Sequence, residues 1–406
     1  MIGDPIEVIA VLLVIEGLAL YAAAMPRLRW LFKYVPFMFW VYFLPMLANT
    51  LGLFAAQHGP AGKMITPVQD AIVDYCLPAS LVLLLINVDM RAILRLGAVA
   101  LAVMAAGALG VIVGGPAVLL IFGHWLPPGM WKGIGALSGS WIGGSANMIA
   151  VSKGIQAPPE IMGTVIVVDT IVAYSWMAVL MLLAGRQESF DRWNRSRMGM
   201  LDELRLRAAD ASPRASHPIT LRHVVLMFSI AAAGCAVAIH ASASLSKWVL
   251  AEMPKAAALI GPGTWAIILA STIGLILSFT PVRRLERFGA STVGYGLLYL
   301  VLAAIGSRAS LADLGGAPVI VLAGAVWVII HGLFVLAAGR LLRVPLAILA
   351  TASQANIGGT ASAPVVAEVY QTGLAPVGLL LAVLGNIAGT YLGLCCAALC
   401  KMVSQW

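Results

Sequence analysis

Two short stretches of this chain gather polar side chains around paired glycines: Ser138-Gly-Ser-Trp-Ile-Gly-Gly-Ser-Ala-Asn147 and Ser353-Gln-Ala-Asn-Ile-Gly-Gly-Thr-Ala-Ser362. Glycine has no Cβ and accepts positive φ, so Gly143-Gly144 and Gly358-Gly359 let the backbone turn sharply and approach a ligand. Ser138, Ser140, Ser145, Asn147, Ser152, Ser353, Gln354, Asn356, Thr360 and Ser362 surround them with neutral donors and acceptors. Such groups suit a small polar solute, and their oxygens suit a hard cation such as Na⁺. The plainer alternative is close helix packing through small residues, with some of the hydroxyls only tying helices together.

The two stretches keep Ser, Ile, Gly-Gly, a hydroxyl residue and Ala in register. The match continues from Gly154-Ile-Gln-Ala-Pro158 and Gly373-Leu-Ala-Pro376 into the next apolar run, where Asp169 falls near the position of Asn386. Asp169 sits inside an apolar segment, where a carboxylate costs about 2.5–3.5 kcal/mol on insertion scales. It therefore needs a cavity or a partner, and it could bind Na⁺ or exchange a proton. A purely structural pairing with Ser, Tyr or His is the competing reading. Asp169, Asn386 and Gln354 are the candidate ion-coupling residues. Glu16 and His331 raise the same question without a repeat counterpart, and Glu368 and Lys153 read as edge or gate residues.

Gly143-Gly-Ser145 with His331 also fits an intramembrane serine hydrolase. A lone Ser and a distant His are weak without geometry, and Gly358-Gly-Thr360 copies the element with no second His. The expectation is a protein that is not an enzyme, with no catalytic metal and no cofactor other than Na⁺ as a coupling ion.

These stretches sit in a chain that is 61% hydrophobic and 10% charged, where a soluble domain carries about 25% charged residues. Apolar runs recur at 5–25, 36–56, 70–90, 96–123, 161–184, 219–241, 256–280, 288–306, 317–339 and 375–400, each near the ~20 residues that cross a bilayer. The fold expected is an all-α membrane protein of about ten transmembrane helices plus two re-entrant or broken elements, 133–154 and 345–370. The first run follows acidic Asp4 rather than a basic start, so it reads as a retained span. Cys76, Cys235, Cys395, Cys396 and Cys400 show no metal-type spacing.

The net charge of +8 lies in short loops between apolar runs, where orientation in the membrane accounts for it and nucleic acid need not be invoked. Arg27, Arg29 and Lys33 place the first loop in the cytoplasm. If 133–154 dips in and returns, then Arg91 and Arg95, the stretch Arg186 to Arg222 with Arg214, the group Arg283, Arg284 and Arg287, and the pair Arg340 and Arg343 all fall inside as well. Both termini are then periplasmic, in a bacterial inner membrane. The two Gly-Gly elements enter from opposite faces, which is inverted symmetry: an N-terminal repeat at 1–185, a cytoplasmic basic linker at 186–218 and a C-terminal repeat at 219–406. Paired Gly-interrupted segments in inverted halves point to a transporter's binding site.

On Ser-Trp-Ile-Gly-Gly-Ser-Ala-Asn147 and Ala-Asn-Ile-Gly-Gly-Thr-Ala-Ser-Ala-Pro364, most of the chain resembles the YjcL-type integral membrane proteins. The arrangement is also similar to the sodium-coupled glutamate and citrate symporters of the cation-antiporter and anion-transporter superfamily. That resemblance implies a mobile core and a scaffold domain, elevator-like alternating access, and a homodimer joined through the scaffold. With polar elements entering from opposite faces to meet near the midplane, the function expected is Na⁺- or H⁺-coupled symport of a small organic solute, such as an anion or an amino-acid-like molecule. Ser145-Ala146 and Thr360-Ala361 depart from the symporters' glycine motif, so no solute is carried over. Cation/proton antiport through Asp169 is the alternative, weakened by the neutral Asn386 at the matching position.

Overall fold

The computed structural model describes residues 2–28, 31–32, 35, 37–54, 67–208, 218–252, 262–312 and 317–405, and their regular structure is helical apart from one isolated pairing of Ile2 with Phe54. Arg29, Lys33, Arg214 and the ends of the spans expected at 36–56 and 256–280 lie outside the described residues. In chain order the helices are α1 (Pro5–Ala24), α2 (Phe37–Thr50), α3 (Pro67–Leu85), α4 (Met90–Arg95), α5 (Ala98–Phe122), α6 (Trp131–Gly143), α7 (Ser145–Gly154) and α8 (Pro159–Leu183). They continue as α9 (Gln187–Asn194), α10 (Gly199–Ala208), α11 (Leu221–Glu252), α12 (Pro262–Ser278), α13 (Ala290–Gly306), α14 (Ala317–Leu342), α15 (Leu346–Ile357), α16 (Gly359–Tyr370) and α17 (Ala375–Val403).

Every apolar run coincides with a helix, because a backbone in hydrocarbon must satisfy its own hydrogen bonds. Length separates them. Among the described residues, α1, α3, α5, α8, α11, α14 and α17 are long and apolar enough to cross a membrane, and α12 makes an eighth if counted through a 94° bend into the 3₁₀ segment Pro281–Phe288. Helices α2 and α13 have 14 and 17 residues, about 21 and 26 Å at a rise of ~1.5 Å per residue. The length criterion thus gives seven or eight full spans where the apolar runs gave ten.

The turns between helices sort onto two faces. On one, Arg207 reaches Arg95 O, Arg197 N donates to Arg343 O at 2.9 Å, Arg340 reaches Trp193 O and Asn194 O, and Arg283 pairs with Asp89. The basic loops are therefore neighbours in space. On the other face Arg308 pairs with Asp70, Lys153 with Asp74, Asn49 donates to Ala309 O, Ile2 N to Leu53 O, and Lys132 to Gln156 O. The end of α17 is there too, with Lys401 over Trp131. The start and the end of the described chain share this second face.

Packing also sorts the helices into two bundles. Helices α5, α6, α7, α8, α14, α15, α16 and α17 pack on one another, chiefly α6 on α17 and α5 on α14. Helices α1, α2, α3, α11, α12 and α13 form the second bundle, centred on α3 against α13. Between them α12 touches α7 and α17, and α2 and α13 touch α8. The stretch read as a linker contains α9 and α10, which dock on the first bundle. Asp191 Oδ1 accepts Leu346 N at 2.9 Å, Asn194 holds Val344 O at 2.9 Å, and Leu201 and Leu204 are buried.

Asp89, in the turn before α4, titrates outside the spans. Burial alone would raise its pKa, but the Ala92 N–H, the hydrogen bond and charge of Arg283, and the charge of Arg95 outweigh burial and hold it below the ordinary value. A depressed carboxyl stabilises above its unfolded value of about 3.9 and loses that contribution as pH falls through the folded value. Asp89→Asn should therefore lower the Tm of the purified protein at neutral pH, with the difference from wild type closing in acid below the folded value.

Candidate functional site

Each Gly-Gly stretch is a hairpin. A Cβ built on Gly139 would lie 2.8 Å from Asn147 O and 3.0 Å from the Val151 side chain, and one on Gly135 would lie 3.2 Å from Ile155. In a straight helix these residues would be two turns or more apart, so α7 runs back along α6. The reversal occurs at Gly144, with φ +85° and ψ 169°, a conformation open essentially to glycine alone. In the second element Gln354 Nε2 donates to Ser362 Oγ at 2.8 Å across the break at Gly358 and Gly359, where Gly359 has φ +62°.

The hairpins enter from opposite faces. The first has its open end where Lys132 meets Gln156 O; the second has its own where Arg197 meets Arg343 O and Arg205 lies against Gly373. Their tips meet: a Cβ on Gly359 would stand 3.5 Å from Gly144 Cα, and one on Gly144 would stand 3.4 Å from Asn386 Oδ1. Helices α7 and α16 both begin at this point, and neither has a side-chain cap. Their first N–H groups and the positive ends of their dipoles thus converge beside Asn386.

The two glycines of the first pair do different work. Gly135, Gly139 and Gly143 recur every four residues along α6, and so do Gly385, Gly389 and Gly393 along α17. The two stripes interlock. A Cβ on Gly143 would collide with Gly385 O, one on Gly389 would stand 2.7 Å from the Asn147 side chain, and one on Gly393 3.0 Å from Gly139 Cα. Gly143 is the packing residue that the GxxxG reading describes, and Gly144 is the turn. The partner stripe on α17 was readable in the sequence from its own spacing of small residues.

Burial divides the polar candidates. Gly144, Ser145, Asp169, Gly358, Thr360 and Asn386 keep accessible surface; Ser138, Ser140, Asn147, Ser353, Gln354, Asn356, Gly359 and Ser362 are buried. Ser138 Oγ donates to Gly135 O at 2.6 Å. Asn147 donates to Gly143 O at 2.6 Å and accepts from Thr390 at 2.5 Å, and Asn356 donates to Met104 O at 3.1 Å. These contacts engage Ser138, Asn147 and Asn356 in the packing of the hairpins. Gln354 Oε1 and Asn356 Oδ1 are buried amide oxygens with no hydrogen-bond partner among the described residues, so their lone pairs remain available to a cation.

Asp169 lies deep among the helices yet stays partly open. Ser140 Oγ donates to its Oδ2 at 3.1 Å and Trp141 Nε1 to its Oδ1 at 2.9 Å. Trp141, in turn, packs on Trp327 with ring centroids 4.8 Å apart. The carboxylate is thereby aimed by α6, the helix that ends at the tip. Tyr295 on α13 reaches the same region from the second bundle and is hydrogen-bonded to Thr360. No repeat or polar cluster singled it out in the sequence.

His331 is fully engaged elsewhere. A carbonyl oxygen can only accept, so Nδ1–H donates to Gly107 O at 2.9 Å, and Nε2 takes the Ser353 hydroxyl at 2.9 Å. Trp176 Nε1 donates to Ser353 Oγ at 2.9 Å, closing the chain. No ring nitrogen is left for Ser145. His331→Leu should cost about 1–3 kcal/mol by stranding the Gly107 carbonyl and the Ser353 hydroxyl, read as a lower Tm in a thermal melt.

The chain matches the family described as Protein of unknown function (DUF819) over residues 10–403. It belongs to that family. It is also 28% identical over 337 residues to the Uncharacterized membrane protein YjcL of Bacillus subtilis (strain 168), an alignment covering 81% of this chain and 83% of that one. With its apolar helices, this makes it a multi-pass membrane protein. The DUF819 match begins within α1 and ends at the last residue of α17, so both hairpins and both bundles lie inside it.

Proposed function

We propose that this protein is a secondary active transporter, carrying a small polar organic solute, preferably an anion, by Na⁺- or H⁺-coupled symport with alternating access. The observation that carries the reading is the meeting of two glycine tips, entering from opposite faces, at a point where two uncapped helix N-termini converge. Interrupted helices whose N-termini face a common point suit an anionic solute group, while freed carbonyl ends and side-chain oxygens suit a cation. The tip residues Gly144, Ser145, Gly358, Thr360 and Asn386 would contact the solute. Asp169, with the orphaned oxygens of Gln354 and Asn356, would serve the coupling ion.

In this reading the chain crosses ten times, with two re-entrant hairpins, in inverted repeats at 1–185 and 219–406 joined by 186–218. The basic face is cytoplasmic and both termini are periplasmic in a bacterial inner membrane. The first bundle is the moving core, and the second is the scaffold and the homodimer contact. A proton antiporter built on Asp169 has less support, because both carboxylate oxygens are held by fixed donors. An enzymatic role for Ser145 with His331 as its base has less support, since both ring nitrogens of His331 are engaged elsewhere.

Thermal melts of the purified protein against carboxylates, amino acids and neutral polyols, with and without Na⁺, test this directly. A solute of 100-fold its Kd adds about 2.7 kcal/mol to the native state. No stabilisation by any anion, at any Na⁺ concentration, would count against the carrier. Asp169→Asn should abolish ion-driven accumulation in liposomes while the protein still elutes as a folded species. Full concentrative uptake by that variant would remove Asp169 from coupling.

A further inference from the structure

The second bundle contains a carboxyl group that the transport site does not use. Glu16 lies on α1 inside the first span, is 7% exposed, and its Oε2 has no hydrogen-bond partner among the described residues. Helix α1 packs on α2, α13 and α3. From α13, Tyr299 interacts electrostatically with Glu16; Tyr299 stacks on Tyr295 at a centroid separation of 5.9 Å; and Tyr295 is hydrogen-bonded to Thr360 at the tip of the second hairpin. Glu286, just before α13, acts on Tyr295 and is bonded to Ser291. On α2, Tyr42 donates to Pro159 O, and on α3 the acids Asp70 and Asp74 are paired with Arg308 and Lys153. None of these groups supplies Glu16 with a positive charge.

A carboxylate in hydrocarbon with no counter-charge and an unmatched oxygen is costly, and taking up a proton removes that cost. We propose that Glu16 is a proton-binding site whose occupancy is transmitted through Tyr299 and Tyr295 to Thr360, so that protonation biases the second hairpin tip. The proton site stands on the buried acid alone. Its consequence for transport rests on the carrier reading.

Two measurements test the two halves. Infrared spectra of the protein in lipid nanodiscs, recorded across a pH titration, should show a protonated carboxyl C=O band that is absent in Glu16→Gln and displaced in Glu16→Asp. Spectra of wild type, Glu16→Gln and Glu16→Asp that coincide at every pH would overturn the proton site. If Glu16→Gln does not fold, the Glu16→Asp displacement alone decides.

For transmission, Ala361→Cys at the tip of the second hairpin is labelled with maleimide and read by mass spectrometry of its peptide, normalised to a free model thiol labelled in the same buffer. The normalised rate should change about fivefold or more across the titration, the lower end of couplings between sites. That change should disappear with Glu16→Gln and with Tyr295→Phe. A pH response unchanged by both substitutions overturns the path. Neither readout needs a solute, so a carrier that fails the ligand panel would leave these results standing, and the reverse also holds.

Discussion

Adding a single methyl group at Gly144 is expected to erase solute binding in a protein that still folds, whereas the same change one residue earlier is expected to prevent the hairpin from forming. At Gly144, among the described residues, a new Cβ would have one neighbour within 4 Å, Asn386 Oδ1 at an ordinary 3.4 Å. The cost there is backbone strain, about 1–3 kcal/mol for a residue forced to hold a glycine conformation. The tip can relieve it by turning, which swings the N–H groups of α7 away from Asn386. At Gly143 the new Cβ meets Gly385 O and the Asn147 amide, with backbone on one side and a doubly bonded side chain on the other. Overpacking of that kind costs about 1–3 kcal/mol or more, and no rotamer change relieves it. Gly144→Ala should therefore elute as folded protein and lose its Tm response to solute. Gly143→Ala should show a broadened elution profile and a low Tm before any solute is added. Equal, full solute responses in both variants would mean that the tips do not contact the ligand.

That contrast also shows how far residue types alone carry the reading. The two breaks could be placed from the sequence because Gly-Gly within a Ser- and Asn-rich stretch is unlike any lipid-facing span around it. The grouping of Arg95, Arg207, Arg197 and Arg343 on one face follows from the positive-inside rule, since basic loops that share a compartment can touch. The unequal roles of Gly143 and Gly144 were not legible, because they depend on Gly385 and Gly389, which lie far along the chain and pack on α6 only in three dimensions. Burial had the same effect on the hydroxyl and amide candidates. A serine near a glycine turn reads as ligand-facing until Gly135 O or Trp176 is found to hold it. Helices α2 and α13 fall short of a full span by length, the run at 36–56 continuing past Thr50 and the run at 288–306 ending with α13 itself.

Joining Lys153 to Asp74 is expected to stop transport while leaving solute binding intact. Lys153, near the end of the first hairpin, pairs with Asp74 on α3; next to it Thr264 donates to Gly154 O at 2.5 Å, and Tyr42 donates to Pro159 O at 3.3 Å. All three contacts tie the first bundle to the second, and all lie toward the face that carries Arg308. On the basic face, in contrast, the outer arm of the second hairpin is open at Ala361, Val365, Glu368 and Val369, beside a groove lined by Pro364 and Ala375. The side-chain ties between the two bundles at Lys153, Thr264 and Tyr42 thus gather toward one face, and in the carrier reading they must break to expose the tips to that side. The ion pair is partly exposed, at 31% and 48% for the two side chains. It therefore contributes little to stability, and separating it is energetically feasible in each cycle. Lys153→Cys with Asp74→Cys, bridged by a short bifunctional thiol reagent, should reduce uptake into liposomes to background, with each single variant treated alike as control. Solute should still raise the Tm of the bridged protein, because the bridge at Lys153 and Asp74 leaves the tip residues Gly144, Thr360 and Asn386 unchanged. Undiminished uptake after complete bridging would show that the two bundles do not separate at this face, and a fixed-tip mechanism would replace the moving core.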